Sequence, residues 1–175
     1  MGLRRNVILS LKDFLSPILS TAGYSFTFVS EWTADKDIVL PKDFTDATKQ
    51  IKLPAGSFTF GDKLAGKRIG LGEGSTNRYI YVQFYLHAET IGQLYDLLDL
   101  IHDSFSNSGS TMYDSNIITI NDYSTTGYPP QDDLTKLCDM DIIDVRSREN
   151  LSLGEENVAL NYSGLVSFTG KMVGV

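Results

Sequence analysis

Apolar residues recur at three- and four-residue spacing at the start of the chain: Val7, Ile8, Leu11, Phe14, Leu15, Ile18 and Leu19. That period predicts a helix with one stripe facing a core. Pro17 falls inside the stripe and is expected to kink or shorten the helix, and Gly23 supplies a stop. From Tyr24 the period changes to two. Tyr24, Phe26 and Phe28 alternate with Ser25, Thr27 and Val29, which predicts an aromatic-rich strand over 24–31. Residues 32–50 are polar and without period, too long for a tight turn, and read as a functional loop or arm.

Extended chain resumes at 51–54, breaks at Ala55-Gly56 and continues over 57–60. Five glycines make 61–77 loop-like. The clearest strand spans 78–88. Ile80, Val82, Phe84 and Leu86 form the face expected in the core; Tyr79, Tyr81, Gln83, Tyr85 and His87 form the other. The clearest helix spans 90–105, with an apolar stripe of Ile91, Leu94, Leu98, Ile101 and Phe105, Leu97 beside it, and Glu89 and Thr90 as its cap. A serine-rich turn ends it. Ile117, Ile118 and Ile120 predict a short strand, and 122–134, with Gly127, Pro129 and Pro130, a loop. A strand follows over 134–145, where Cys138, Met140 and Ile142 alternate with Asp139 and Asp141; the alternation over 157–175 is weak. Helix, strands, helix, strands is the order of an α+β fold. It predicts an antiparallel sheet flanked by two main helices, a single domain with long loops near 32–50, 61–77 and 122–134.

Composition agrees with a packed domain: 175 residues, 42% hydrophobic and 21% charged. Twenty-two acidic against 15 basic residues give a net charge of −7. That sign argues against a broad grip on nucleic acid or on anionic lipid, both of which need Lys and Arg. It is compatible with a wall past which DNA moves without sticking. The lone Cys138 allows no intramolecular disulfide and reads as a small core residue. Arg4 and Arg5 precede apolar residues, but Lys12 and Asp13 interrupt the run as a leader, and no segment reaches the ~20 apolar residues of a membrane span. The expectation is a cytoplasmic protein.

Catalytic signals are weak. The run Gly70-Leu71-Gly72-Glu73-Gly74-Ser75 invites a phosphate-loop reading, with Lys67 and Arg68 nearby. Such a loop must open a helix, whereas here a strand follows, and Glu73 sits where phosphate would go. Asp139, Asp141 and Asp144 lack the glycine turn and closing glutamate of a calcium loop and read as a solvated strand face. His87 and His102 have no zinc-spaced partner, and no nucleophile-base set can be assembled. Asp96, Asp99 and Asp103 share one helix face: a surface ridge, or a negative patch facing a partner or a channel. Tyr79, Tyr81 and Tyr85 on one strand face suit an interface, since the ring supplies contact area and the hydroxyl tolerates a wet rim. The alternative is that another helix of the chain, such as the first, covers them.

The order of these features resembles that of the tail-terminator, or tail-completion, proteins of long-tailed bacteriophages. It is carried by the N-terminal helix leading to a strand, the Leu53-Pro54 extended piece, the Gly70-Leu71-Gly72 segment, and the strand from Arg78 to Ala88 running into the helix with Gln93-Leu94-Tyr95-Asp96-Leu97-Leu98. It covers about the first two-thirds of the chain. The resemblance implies a ring, commonly of six subunits, in the virion tail, assembled in the host cytoplasm. Such a ring caps the tail tube, stops its polymerisation and joins tail to head; DNA passes through without specific binding. The implied partners are further copies of the chain, the tail-tube protein and the head-tail connector or neck proteins, with no membrane. Neither catalysis nor a cofactor or metal is implied. Tyr79, Tyr81 and Tyr85, with Lys67 and Arg68 in the glycine-rich loop, are the candidate interface; Asp96, Asp99 and Asp103 are the candidate acidic patch. A head-completion or neck adaptor is the nearest alternative, and a small phosphate-ligand enzyme or module using residues 70–75 is one of another class.

Overall fold

A computed structural model describes residues 3–29, 52–68, 76–106, 116–123, 134–152 and 161–173. The first helix, α1 (Leu3–Thr21), carries three stripes. Val7, Leu11, Leu15 and Leu19 are buried in the core. Asn6, Ser10 and Asp13 lie on one flank, and Arg5, Ile8 and Lys12 on the other, as 100° per residue requires. Pro17 does not end the helix, which runs on to Thr21. Its place near the C-terminus removes a single intrahelical bond, to the Asp13 carbonyl. Gly23, at φ +87°, then closes α1. The amides of Gly23 and Tyr24 donate to the carbonyls of Ser20 (3.0 Å) and Leu19 (2.9 Å), the two bonds of a glycine-ended helix.

Among the described residues, six strands form one sheet in the order β1-β2-β3-β6-β5-β4: β1 (Thr27–Phe28), β2 (Ala55–Arg68), β3 (Thr76–Ala88), β4 (Asn116–Asp122), β5 (Thr135–Ser152) and β6 (Asn161–Val173). All neighbours are antiparallel except β1 and β2, which run parallel. Among the described residues of the strand expected over 24–31, Thr27 and Phe28 pair with β2, and the Val29 amide donates to the Gly56 carbonyl (2.9 Å). The loop expected over 61–77 is narrower, because β2 continues to Arg68 and β3 starts at Thr76. Glycine misled that reading. Gly56 and Gly61 are strand residues whose missing side chains make room for rings on β3. A bulge between Phe60 and Leu64 absorbs the extra residues. Likewise β5 outlasts its expected end at Val145. A bulge between Ile143 and Arg146 places Asp144 at φ +56°, and the polar stretch beyond it is held by pairing with β6. Asp122 still pairs with Thr135 at the end of β4, and the expected loop after Tyr123 lies outside the described residues. The loop expected over 32–50 lies outside the described residues.

Both helices pack on one face of the sheet. The second, α2 (Ile91–Ser106), buries Leu94, Leu97, Leu98, Ile101 and Phe105. Its N-terminus is capped reciprocally. The Gln93 amide donates to the Thr90 hydroxyl (3.2 Å), and the Glu89 amide donates to the Gln93 side chain (2.8 Å). Gly164 on β6 admits Leu94 and Leu98; a Cβ there would meet them at 3.1 and 2.8 Å. Ile91, expected in the stripe, is exposed. α1 touches both ends of the strand order: it hydrogen-bonds β4 and lies beside β1 and β2. The sheet therefore curls around the helices, and α1 fills the seam between its edges. Ile80, Val82, Phe84 and Leu86 face this interior, with Ile118, Ile120, Met140, Ile142, Val166, Phe168 and Met172. The result is a single α+β domain.

Candidate functional site

The other face of the sheet is covered by neither helix. Strand alternation puts Tyr79, Tyr81, Gln83, Tyr85 and His87 there. Register then extends the surface across three strands. Tyr81 pairs with Thr169, which pairs with Ile143; Gln83 with Ser167 and then Arg146; Tyr85 with Leu165 and then Arg148. Tyr81 and Ile143 remain 38% and 40% exposed, and Ile117 on β4 55%. Tyr79 and Tyr85 are half-buried. The Tyr81 ring lies over Gly61, where a Cβ would stand 2.5 Å from its Cδ1. Arg146 donates to both carboxylate oxygens of Asp144 (3.1 and 3.0 Å), which holds its guanidinium above the usual range. α1 does not cover the tyrosines as the alternative required; its buried stripe faces the opposite side. Lys67 and Arg68 pair through the backbone with Asn77 and Thr76, at the end of the β2–β3 hairpin that carries Tyr79.

Asp96, Asp99 and Asp103 are all exposed on α2, opposite its buried stripe. Asp103 lies 3.4 Å from the His102 ring. Tyr95 is hydrogen-bonded to Glu149 of β5, which raises its hydroxyl's pKa.

The basic flank of α1 forms a different surface. With Phe28, Phe58 and Phe60 it walls a groove of about 750 Å³, into which Arg4, Arg5 and Lys12 also project. Arg4 lies over the Phe60 ring and Lys12 over the Phe28 ring, each 5.8 Å from the centroid. Burial pulls the Lys12 ammonium below its ordinary range, against the upward pull of Asp13.

Sequence reasoning missed the third stripe of α1, although its spacing of four and three residues was in view. Ser10 accepts from the Asn121 amide (2.9 Å). Asn6 donates to Asp122 (3.2 Å) and accepts from the Tyr123 amide (3.2 Å), and the Tyr123 hydroxyl donates to Asp13. These bonds fasten α1 to the end of β4 across the seam. Burial first, then the bond to Asp13, pushes the fully buried Tyr123 up to about 12, against weaker opposing bonds from Ser10 and Asn121. A folded-state pKa above the unfolded value of about 10 stabilises fully below pH ~10. That contribution is lost as pH rises through 12. At neutral pH, Tyr123→Phe is expected to lower stability by about 1–2 kcal/mol through the lost hydrogen bond. In alkaline thermal melts the gap between wild type and variant should close between pH 10 and 12; a constant gap contradicts this role.

The remaining chemical candidates stay apart. Asp139 pairs with Lys136 (2.6 Å), whose hydrogen bond lowers its pKa, and Asp144 pairs with Arg146. Burial pushes the Cys138 thiol up, which disfavours the thiolate, and the residue packs in the core. Residues 70–75 lie outside the described residues, and the chain re-enters as β3 with no helix N-terminus following. Among the described residues, no three His, Cys, Asp or Glu side chains gather as a metal site, and no helix is long and apolar enough to cross a membrane. Compared with protein-family models the chain matches none, and no curated protein matches it in sequence.

Proposed function

We propose that this chain is a structural protein of a bacteriophage tail, whose copies form a ring that caps the tail tube, stops its polymerisation and joins tail to head. The observation that carries the assembly reading is the outer sheet face, which neither helix covers. Tyr79, Tyr81 and Tyr85 share it with Ile143, Arg146 and Arg148; Tyr81 and Ile143 stay exposed, and tyrosine and arginine are enriched among residues that dominate interface energetics. The phage assignment rests on the order of elements that resembles tail terminators. In this account the outer face meets the last ring of the tube or the connector. Occupying the tube's end blocks further addition, and the ring offers a different surface to the next component. A subunit charge of −7 suits a lumen that repels phosphate and lets DNA slide.

Adding the chain to polymerising tail-tube protein tests this reading. Tubes should become shorter and carry a ring at one end in electron micrographs. Tyr81→Asp and Ile143→Asp should each weaken that capping by about 30-fold, the loss of roughly 2 kcal/mol expected at an interface hot spot. Unchanged tube lengths would contradict the function, and unimpaired variants would contradict the surface.

A further inference from the structure

Two surfaces of opposite sign lie on the helices. Neither Arg4 nor Arg5 has a carboxylate partner among the described residues, and neither Asp96 nor Asp99 has a cationic one. On a chain of net charge −7, a cluster of Arg4, Arg5 and Lys12 around one aromatic groove is a local reversal. We propose that the groove beside α1 receives the acidic outer ridge of α2 from a second copy of this chain, joining subunits head to tail. The proposal deepens the ring reading and rests on it.

Spacing favours this occupant. Arg5 and Lys12 are seven residues apart on α1, and Asp96 and Asp103 are seven apart on α2. At 1.5 Å per residue both pairs span about 10.5 Å, so two charges can face two charges along crossed or parallel helices. Phe28, Phe58 and Phe60 wall the groove, and their apolar surface strengthens the field around its cations. The Lys12 ammonium, already losing water to burial, regains a favourable field when a carboxylate approaches. Because the two patches differ, each subunit uses one toward each neighbour. Such a heterologous contact closes into a ring when its rotation allows.

Charge reversal in two complementary variants tests the contact. Arg4→Glu/Arg5→Glu sets a negative groove against the native ridge; Asp96→Lys/Asp99→Lys sets a positive ridge against the native groove. All four positions are exposed, so circular dichroism should show both variants folded. Each alone should associate at least about 10-fold more weakly than wild type by light scattering, through like-charge repulsion. An equal mixture should recover the wild-type mass, because every junction then joins opposite charges. The milder Arg5→Gln and Asp96→Asn should shift association in the same direction by less. Wild-type assembly by either reversed variant alone, or no recovery on mixing, overturns this contact and leaves the ring reading standing. A wild-type chain that never associates overturns the ring reading itself.

Discussion

Replacing Phe84 with alanine is expected to lower the unfolding free energy by about 3–5 kcal/mol, the range for a buried phenylalanine. Phe84 is fully buried on the interior face of β3. Its ring meets Phe58 at 4.4 Å between centroids, Phe26 at 5.9 Å and Phe28 at 6.2 Å. Those neighbours come from three segments: β2, β1 and the chain leading out of α1. The cavity left by alanine would therefore lie where the parallel β1–β2 pair is held against the sheet by rings more than by its short ladder. Strand backbones cannot move in to fill it without breaking the ladders, so little of the loss is relieved. Domains of this size are stable by ~5–15 kcal/mol, so the loss takes a large share of the total. Urea unfolding at one fixed protein concentration should show a lower midpoint with an unchanged slope. Phe84→Leu, which keeps most of the volume, should lose less than half as much. A cost under ~1 kcal/mol for Phe84→Ala would contradict the packing described.

The second large effect is expected from Gly56→Ala, at about 2–3 kcal/mol, the upper part of the range for overpacking. An added Cβ would stand 2.6 Å from the Tyr85 carbonyl oxygen, 2.8 Å from the tip of the Phe84 ring and 3.0 Å from that of Phe26. The first of these is backbone in the adjoining strand and cannot rotate away. Relief requires β2 and β3 to separate or the two rings to leave the cluster. Alanine also restricts the unfolded chain, which favours folding by about 0.4–1 kcal/mol, but the clash outweighs that gain. Gly92→Ala is the control. A Cβ there meets nothing within 4 Å, so the same exchange in α2 should be neutral or stabilising. Thermal melts should show Gly56→Ala lowered and Gly92→Ala unchanged or raised; a stabilised Gly56→Ala would contradict the close approach.

Where the period was long and clean, the sequence was readable. The alternation of β3 and the stripe of α2 placed Phe84, Leu86, Leu98 and Phe105 in the core, where they are found. Local propensity failed where partners made the decision. Gly56 and Gly61 read as breaks because glycine is flexible, yet each is a strand residue fixed by a ring across the ladder. Residues 146–152 lack alternation because they extend past the core, and only their pairing with β6 makes them a strand. Pro17, expected to kink or shorten α1, is accommodated in its penultimate turn. The site divides in the same way. Alternation alone put three tyrosines on one face, but not that Ile143 and Arg146 join them, since that depends on a register crossing three strands. The groove beside α1 was not legible, because it joins a helix flank to two separate strands, one of them more than 40 residues away.

The mass of the chain in solution, by size-exclusion chromatography with light scattering, tests the central claim most directly. The account predicts a discrete particle at a small whole multiple of the 19.4 kDa subunit, above the dimer and near six subunits if the resemblance to tail terminators holds, formed alone or with tail-tube protein present. A 19.4 kDa monomer that persists at high concentration and in the presence of tail-tube protein would contradict it.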